Sequence, residues 1–452
     1  MKETYTVKEK IGQFLHILFP IFFTQISLYM MNFFDVTMTG KYSAVDLAGV
    51  AIGSNIWVAI FTGIGGILTG LTPIVSQAFG AKKHEHISKT IEQAVYVAIV
   101  FACFVLTIIY FLVPILLENM YIESNVETVA YQYLRALCIG VVPIFIYYVL
   151  RSFMDALGQT KVTMTLTLCS LPLNILLNDM LIFGRWGIPA LGGVGAGYAT
   201  SITYWCLLIC AFLLVRFRTP FSTYNILKKL SPISLSIWKQ LILIGTPIGL
   251  SIFFETSIFS AVTLLMSEFG TTAIAAHQAA MNFASLLYMI PLSISLTLTI
   301  IVGFEVGANR WEHAKRYCMV GITFAVTMAI VASIVLLLFR ETIASLYTND
   351  KHVLQWTKQF LLYVLFFQLS DAVAAPIQGA LRGYKDVRFP FFIALISYWL
   401  VGLPVGYILS RYTTAGPFGY WIGLIAGLAS GAILLFIRLR QKWKHNRVGG
   451  GD

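Results

Sequence analysis

The chain has 452 residues, of which 58% are hydrophobic and only 11% charged, and its mean hydropathy is +0.80. Soluble domains carry roughly 25% charged residues, so a water-soluble fold is excluded and the bilayer is the natural solvent. The net charge of +11 does not indicate a nucleic-acid partner, because the basic residues sit in short connectors between apolar runs.

A membrane-crossing helix needs about 20 apolar residues. The polar stretch Met1–Lys10 precedes an apolar run too long for the core of a signal peptide, so the first element is expected to be a true span. In chain order the predicted spans are 14–38, 47–76, 91–117, 130–155, 162–184, 192–215, 240–266, 273–304, 316–339, 356–381, 389–410 and 416–437. The expected fold class is an all-α polytopic membrane protein with twelve transmembrane helices.

Charge placement orients them. With the N-terminus inside, the inner loops and tails hold 24 Lys and Arg and the outer loops 6, while Arg135 falls within a span. Basic residues concentrate on the cytoplasmic side, so both termini are expected to be cytoplasmic.

The two halves resemble each other. At an offset of 227, Pro20 meets Pro247, Ala48 meets Ala275, Asn55 meets Asn282, and Gly80-Ala81 meets Gly307-Ala308. At an offset of 224, Ala156-Leu157 meets Ala380-Leu381 and Lys161 meets Lys385. Six spans per copy is an even number, so the copies share one orientation. That predicts two six-helix lobes related by a parallel pseudo-two-fold repeat, a transporter architecture. The expected division is an N-terminal lobe at 1–217, a cytoplasmic linker at 218–238, a C-terminal lobe at 239–438 and a cytoplasmic tail at 439–452.

A charge in the bilayer core costs at least about 2.5–3.5 kcal/mol, so an acid there is expected to have a partner or a task. Asp35 in the first span, Glu255 in the seventh and Asp371 in the tenth have no basic neighbour in their own helix. They read as proton or cation sites, with a structural hydrogen bond as the bland alternative; Asp179 is a fourth candidate. Arg135, Arg151, Asp155 and Glu305 read as caps or ion pairs near helix ends. Asn174 and Asn178 share a helix face, as do Gln278 and Asn282, and His277 reads as a packing residue. Met31 and Met38 near Asp35 offer an adaptable surface to apolar ligands. Phe34 and Phe367 can present ring faces to an organic cation. Pro20, Pro73, Pro143, Pro172, Pro247, Pro291, Pro376 and Pro404 interrupt their spans. The six cysteines lack metal or disulfide spacing. No nucleotide-binding loop or hydrolase constellation is present, so neither ATP-driven transport nor an enzyme is indicated.

Several strings together resemble the multidrug and toxic compound extrusion (MATE) family, and most closely its NorM-type members. They are PIFFTQISLYMMNFFDVTMTG (Pro20–Gly40), LAGVAIG (Leu47–Gly53), NILLNDMLIFG (Asn174–Gly184), GTPIGLSIFFETSIFS (Gly245–Ser260), IAAHQAAMNFASLLYMIPLSIS (Ile274–Ser295) and QGALRGYKDVRFP (Gln378–Pro390). The resemblance covers nearly the whole chain. It implies antiport, in which H⁺ or Na⁺ enters while an amphiphilic, mostly cationic drug leaves by alternating access. By that resemblance Asp35 is the carboxylate of the N-terminal lobe, and Glu255 and Asp371 are the pair for the coupling cation, Na⁺ as a metal ion included. Asn178 stands where some members have Asp, and Phe367 where NorM-type members tend to have Tyr. Implied substrate contacts are Asp35, Met31, Met38, Phe34, Asn174, Asn178, Gln278, Asn282 and Phe367. No cofactor beyond the coupling ion is expected, and a monomer in the bacterial cytoplasmic membrane is. The alternative reading is a flippase of lipid or lipid-linked precursors of the same fold superfamily, which would need a cavity rich in Arg and Lys.

Overall fold

In the computed structural model, which describes residues 1, 3–120, 122–226, 231–348 and 350–448, the described residues form helices joined by short connectors. The helices are α1 (Val7–Tyr42), α2 (Ala44–Leu68), α3 (Leu71–Gly80), α4 (His84–Glu118), α5 (Ser124–Ala156), α6 (Thr160–Phe183) and α7 (Gly193–Phe217). There follow α8 (Leu235–Met266), α9 (Thr271–Gly307), α10 (Trp311–Ser345), α11 (Lys351–Gly383), α12 (Arg388–Ala394), α13 (Leu403–Tyr412) and α14 (Phe418–Val448). Among the described residues, 12 helical stretches are long and apolar enough to cross a membrane, which is the predicted number.

Local chemistry sets the ends. The Ser43 hydroxyl accepts from the amides of Val45 and Asp46 and opens α2. The Asp350 carboxylate does the same for His352 and Val353 at the start of α11. Such caps satisfy amides that have no partner inside the helix. Gly184 ends α6 in the left-handed conformation, φ 71°, where a side chain would be strained and would meet Ala190. Asp46 Oδ1 accepts from the Gly193 amide at 2.7 Å and so caps α7 from a neighbouring helix.

Three predicted elements differ from the structure, two of them for a backbone reason. The span expected at 47–76 breaks at Thr69–Gly70 into α2 and α3, with Pro73 in the first turn of the second piece. The span expected at 389–410 passes through a π turn, Leu395–Gly402, directly before Pro404. Proline lacks an amide hydrogen and clashes with the carbonyl one turn earlier, and a π widening accommodates both. The last helix does not stop at residue 437: α14 continues to Val448 through most of the expected tail, whose residues 449–452 lie outside the described ones.

The chain forms two compact units. One comprises Met1–Leu18 and Leu250–Asp452, the other Phe19–Gly249. The predicted boundary at 218–238 therefore falls inside the second unit. Residues 227–230 of it lie outside the described ones, and its ends are packed rather than free. Phe221 is fully buried, Tyr224 packs edge-on against Phe153, and Gln93 Oε1 accepts from the Ser234 amide and Trp238 Nε1, both at 2.9 Å.

Helices pack closely where small residues let backbones approach, as membrane interfaces require. In the first unit a side chain on Gly427 would meet the Ser397 carbonyl, and one on Gly379 would overlap the Ser295 backbone. In the second, Gly245 and Gly249 of α8 lie against Ile67 and Gly63 of α2. The outward faces stay apolar, with Phe104, Tyr110, Phe111, Leu112 and Ile115 of α4 exposed, as a lipid-facing belt would be. Arg151 pairs with Asp155 at 3.5 Å, and Arg310 with Glu305 at 2.9 Å. His277 Nδ1 accepts from Trp421 Nε1 at 3.1 Å while Nε2 meets the Thr263 hydroxyl at 3.0 Å, so that ring is fully engaged in packing.

Candidate functional site

The acids fall into one polar cluster in each compact unit. In the unit Phe19–Gly249, Asp35 of α1 is buried against α6 and α7. Asn178 Nδ2 donates to Asp35 Oδ1 at 2.5 Å, and Thr200 Oγ1 donates to Asp35 Oδ2 at 2.9 Å. Asn174 closes the group: its Oδ1 accepts from Asn178 Nδ2 at 3.1 Å, and its Nδ2 donates to Thr200 Oγ1 at 3.5 Å. The i, i+4 spacing on α6 brings both amides to one acid. Each carboxylate oxygen is thus met by a donor with no basic residue in the group, which suits a single negative charge in an apolar setting. Asn178 Oδ1 is buried and has no hydrogen-bond partner among the described residues.

Asp179 is not part of this cluster. It pairs with Arg185 at 3.3 Å, near the exposed end of α6. Successive helix residues point about 100° apart, so with Asn178 turned to Asp35 its neighbour must turn away.

The predicted ligand contacts around Asp35 are only partly open. Met31 is buried, with its sulfur 3.7 Å from Ser170 Oγ, and Asn174 and Asn178 are fully enclosed. Met38 packs against the core of this unit, and Phe34 is half-buried beside Phe33.

In the other unit, α8, α9 and α11 enclose a cavity of about 220 Å³. Glu255 and Asp371 both line it, together with Phe367, Gln378, Arg382 and Tyr398. Gln378 Nε2 donates to Glu255 Oε1 at 2.6 Å, and Ser251 Oγ donates to the same oxygen at 3.4 Å. Phe367 packs edge-on against Phe259, ring centroids 5.7 Å apart, and forms part of the apolar wall. The oxygens of Glu255, Asp371, Ser295, Tyr288 and Tyr398 are the hard donors here, the type that suits a proton or an alkali cation. Gln278 and Asn282 are not brought to this cavity; both are exposed on α9, and Asn282 accepts from the Tyr347 hydroxyl at 3.4 Å.

Sequence reasoning missed Thr200, Gln378 and Arg382. Thr200 carries no local signal, since threonines are frequent in these helices. Gln378 and Arg382 did carry one: with Phe367, Asp371 and Ala375 they fall at helical spacing on one face of α11.

The MatE family profile matches residues 20–180 and 247–408. The chain belongs to the MATE family. The two matches begin at Pro20 and Pro247, the pair that the 227-residue offset superimposes. Relatives match the chain over nearly their whole length. The chain is 54% identical over 444 residues to the "Probable multidrug resistance protein NorM" of Bacillus subtilis, covering 98% of each. It is 55% identical over 431 residues to the protein of that name in Geobacillus kaustophilus, covering 95% of this chain and 94% of the relative. Solved MATE structures share the fold. The eukaryotic MATE transporter AtDTX14 superimposes with a TM-score of 0.86 at 20% identity, over 97% of each chain. The Vibrio cholerae MATE transporter VcmN in the bent form does so with 0.87 at 19% identity, over 98% of each. A MATE protein is a transporter and not an enzyme, and this one is a multi-pass membrane protein of bacterial type.

Proposed function

We propose that the protein exports amphiphilic, mostly cationic organic compounds in exchange for H⁺ or Na⁺, by alternating access. The relatives' name, multidrug resistance protein, supports the substrate class. The observation that carries the exchange is Asp35, a buried carboxylate held by neutral donors alone. Among the described residues no fixed cation neutralises it, so a mobile one must. The cluster can serve both charge states. With Asp35 ionised, Asn178 Nδ2 faces it; with Asp35 protonated, a flip of that amide would present the free Oδ1 to the new hydroxyl. Glu255 and Asp371 form the second ion site, in a cavity walled by Phe367, and the drug leaves when either acid is neutralised. Both termini are cytoplasmic and the protein works as a monomer in the bacterial cytoplasmic membrane, without a cofactor or a nucleic-acid partner. The flippase reading is disfavoured because these two sites hold three carboxylates and a single guanidinium.

The test is efflux from proteoliposomes under an imposed H⁺ or Na⁺ gradient. Asp35→Asn is expected to abolish gradient-driven export, and full export by that variant overturns the proposal. Glu255→Gln and Asp371→Asn are expected to lose ion binding at the second site; unchanged binding in both removes it from the mechanism.

A further inference from the structure

The cavity in the unit containing α8, α9 and α11 holds a charge that a cation site does not need. Arg382 lines it beside Glu255 and Asp371 and is only 9% exposed. A buried guanidinium ordinarily sits against a carboxylate. Among the described residues, no ion pair within 4.0 Å involves Arg382. Glu255 instead accepts from two neutral groups, Gln378 and Ser251.

The geometry of α11 gives the order of charges. Asp371, Ala375, Gln378 and Arg382 share one face. The bond from Gln378 places Glu255 at the level of that residue. Four residues, about 6 Å of rise, separate this level from Arg382. Asp371 lies about 10 Å away in the opposite direction. Along the axis of α11 the cavity therefore presents Asp371, then Glu255 reaching in from α8, then Arg382 next to the helix end at Gly383.

We propose that Arg382 is a built-in counter-cation that weakens the grip of Glu255 and Asp371 on the incoming ion, so that a bound ion can leave. With both acids ionised the cavity carries one net negative charge, which a single monovalent cation neutralises. A transport site must bind tightly enough to fill and loosely enough to empty. Two carboxylates in an apolar pocket without a fixed positive charge would hold a cation too long. Arg382 is thus a positioning residue for affinity, acting on the ion through the field it sets rather than by contact. The proposal rests on reading this cavity as an ion site.

The test measures equilibrium ²²Na⁺ binding and proton uptake on acidification, using full-length protein in detergent, for the parent, Arg382→Gln, Arg382→Lys and Glu255→Gln. Arg382 lies about 6 Å of rise from the level of Glu255 and about 16 Å from Asp371, and in a medium of effective dielectric near 20 a unit charge at the nearer distance changes affinity on the order of tenfold or more. Arg382→Gln is expected to bind the parent's ion at least about tenfold tighter and to turn over more slowly in proteoliposomes. Arg382→Lys is expected to stay near the parent. A merely structural role would weaken binding, so tightening is the discriminating sign. Parental or weaker affinity in an Arg382→Gln protein that melts like the parent overturns the proposal. If that variant does not fold, Arg382→Met, which keeps the apolar stem, carries the same expectation and the same refutation. Ion binding that is identical in the parent and Glu255→Gln would show that the cavity is not the ion site, and would overturn the reading beneath the proposal as well.

Discussion

The hydrogen bonds at Asp35 make a prediction that separates partner from bystander. Asn178→Leu leaves Asp35 Oδ1 buried without its donor, and such a loss costs roughly 1–3 kcal/mol, more where the acceptor is charged. The variant is expected to melt several degrees lower in detergent and to export poorly. In an Asp35→Asn background the same change is expected to cost less, and the difference is the coupling between the two side chains, about 0.5–3 kcal/mol for groups in contact. Equal losses in both backgrounds would mean that Asn178 serves the fold and not the acid. Much of this cluster is legible in the sequence. A lone acid in an apolar helix needs polar company, and two amides at i, i+4 offer it. Asp179 was decidable too, because adjacent residues cannot face the same partner. Thr200 was not, since its role depends on which helix packs beside Asp35. In the sequence Arg382 reads as one of the inner-loop charges, because it lies three residues from Lys385 and close to a helix end. Its place on the face of Asp371 and Gln378 would have moved it into the cavity.

Individual helices were legible as runs of apolar residues, but their internal breaks were not. A hydropathy window reads 47–76 and 389–410 as uniform, whereas Gly70 with Pro73, and Pro404 after a π turn, divide them. Such breaks are decided by where a carbonyl loses its amide partner, which hydropathy does not record. Glycine positions carry the complementary information. Gly379 of α11 lies against the Ser295 backbone of α9, and the Thr299 hydroxyl donates to the Gly379 carbonyl at 3.0 Å. Gly379 is next to Gln378, which holds Glu255. Gly379→Ala is therefore expected to push the two helices apart. Overpacking of this kind costs typically 1–3 kcal/mol. A lower melting temperature should come with weakened ion binding at Glu255 and Asp371, while the Asp35 cluster in the other unit is untouched. A variant that melts lower yet binds ions as the parent does would show that this contact supports the fold without shaping the cavity.

At the scale of the whole chain, the repeat was legible because two matching series of residues keep a nearly constant offset. The membership of the compact units was not legible, because the first 18 residues of the chain belong with Leu250–Asp452, and the start of α8 belongs with Phe19–Gly249. That exchange depends on tertiary contacts, and the contacts of the chain's start are polar and specific. Lys10, 1% exposed, donates from Nζ to the Thr4 carbonyl at 2.9 Å and lies 2.8 Å from His313 Nδ1. The Thr4 hydroxyl meets Tyr317 at 2.7 Å, and the Thr4 carbonyl also accepts from Arg310 at 2.8 Å. Arg310 in turn pairs with the fully buried Glu305 and with Glu3. The charges of Arg310, Glu305 and Glu3 balance one another, so removing some strands the rest, and an uncompensated buried charge is strongly destabilising. Deleting residues 1–6 is expected to raise amide hydrogen exchange across 304–318, where the acceptors of Lys10 and the partners of Arg310 are lost. Exchange across 174–200, which belongs to the other unit and surrounds Asp35, is expected to stay at the parental rate, because units open locally with their own free energies. An increase spread evenly over both regions would mean that the two units do not open separately, and that the first six residues stabilise the chain as a whole.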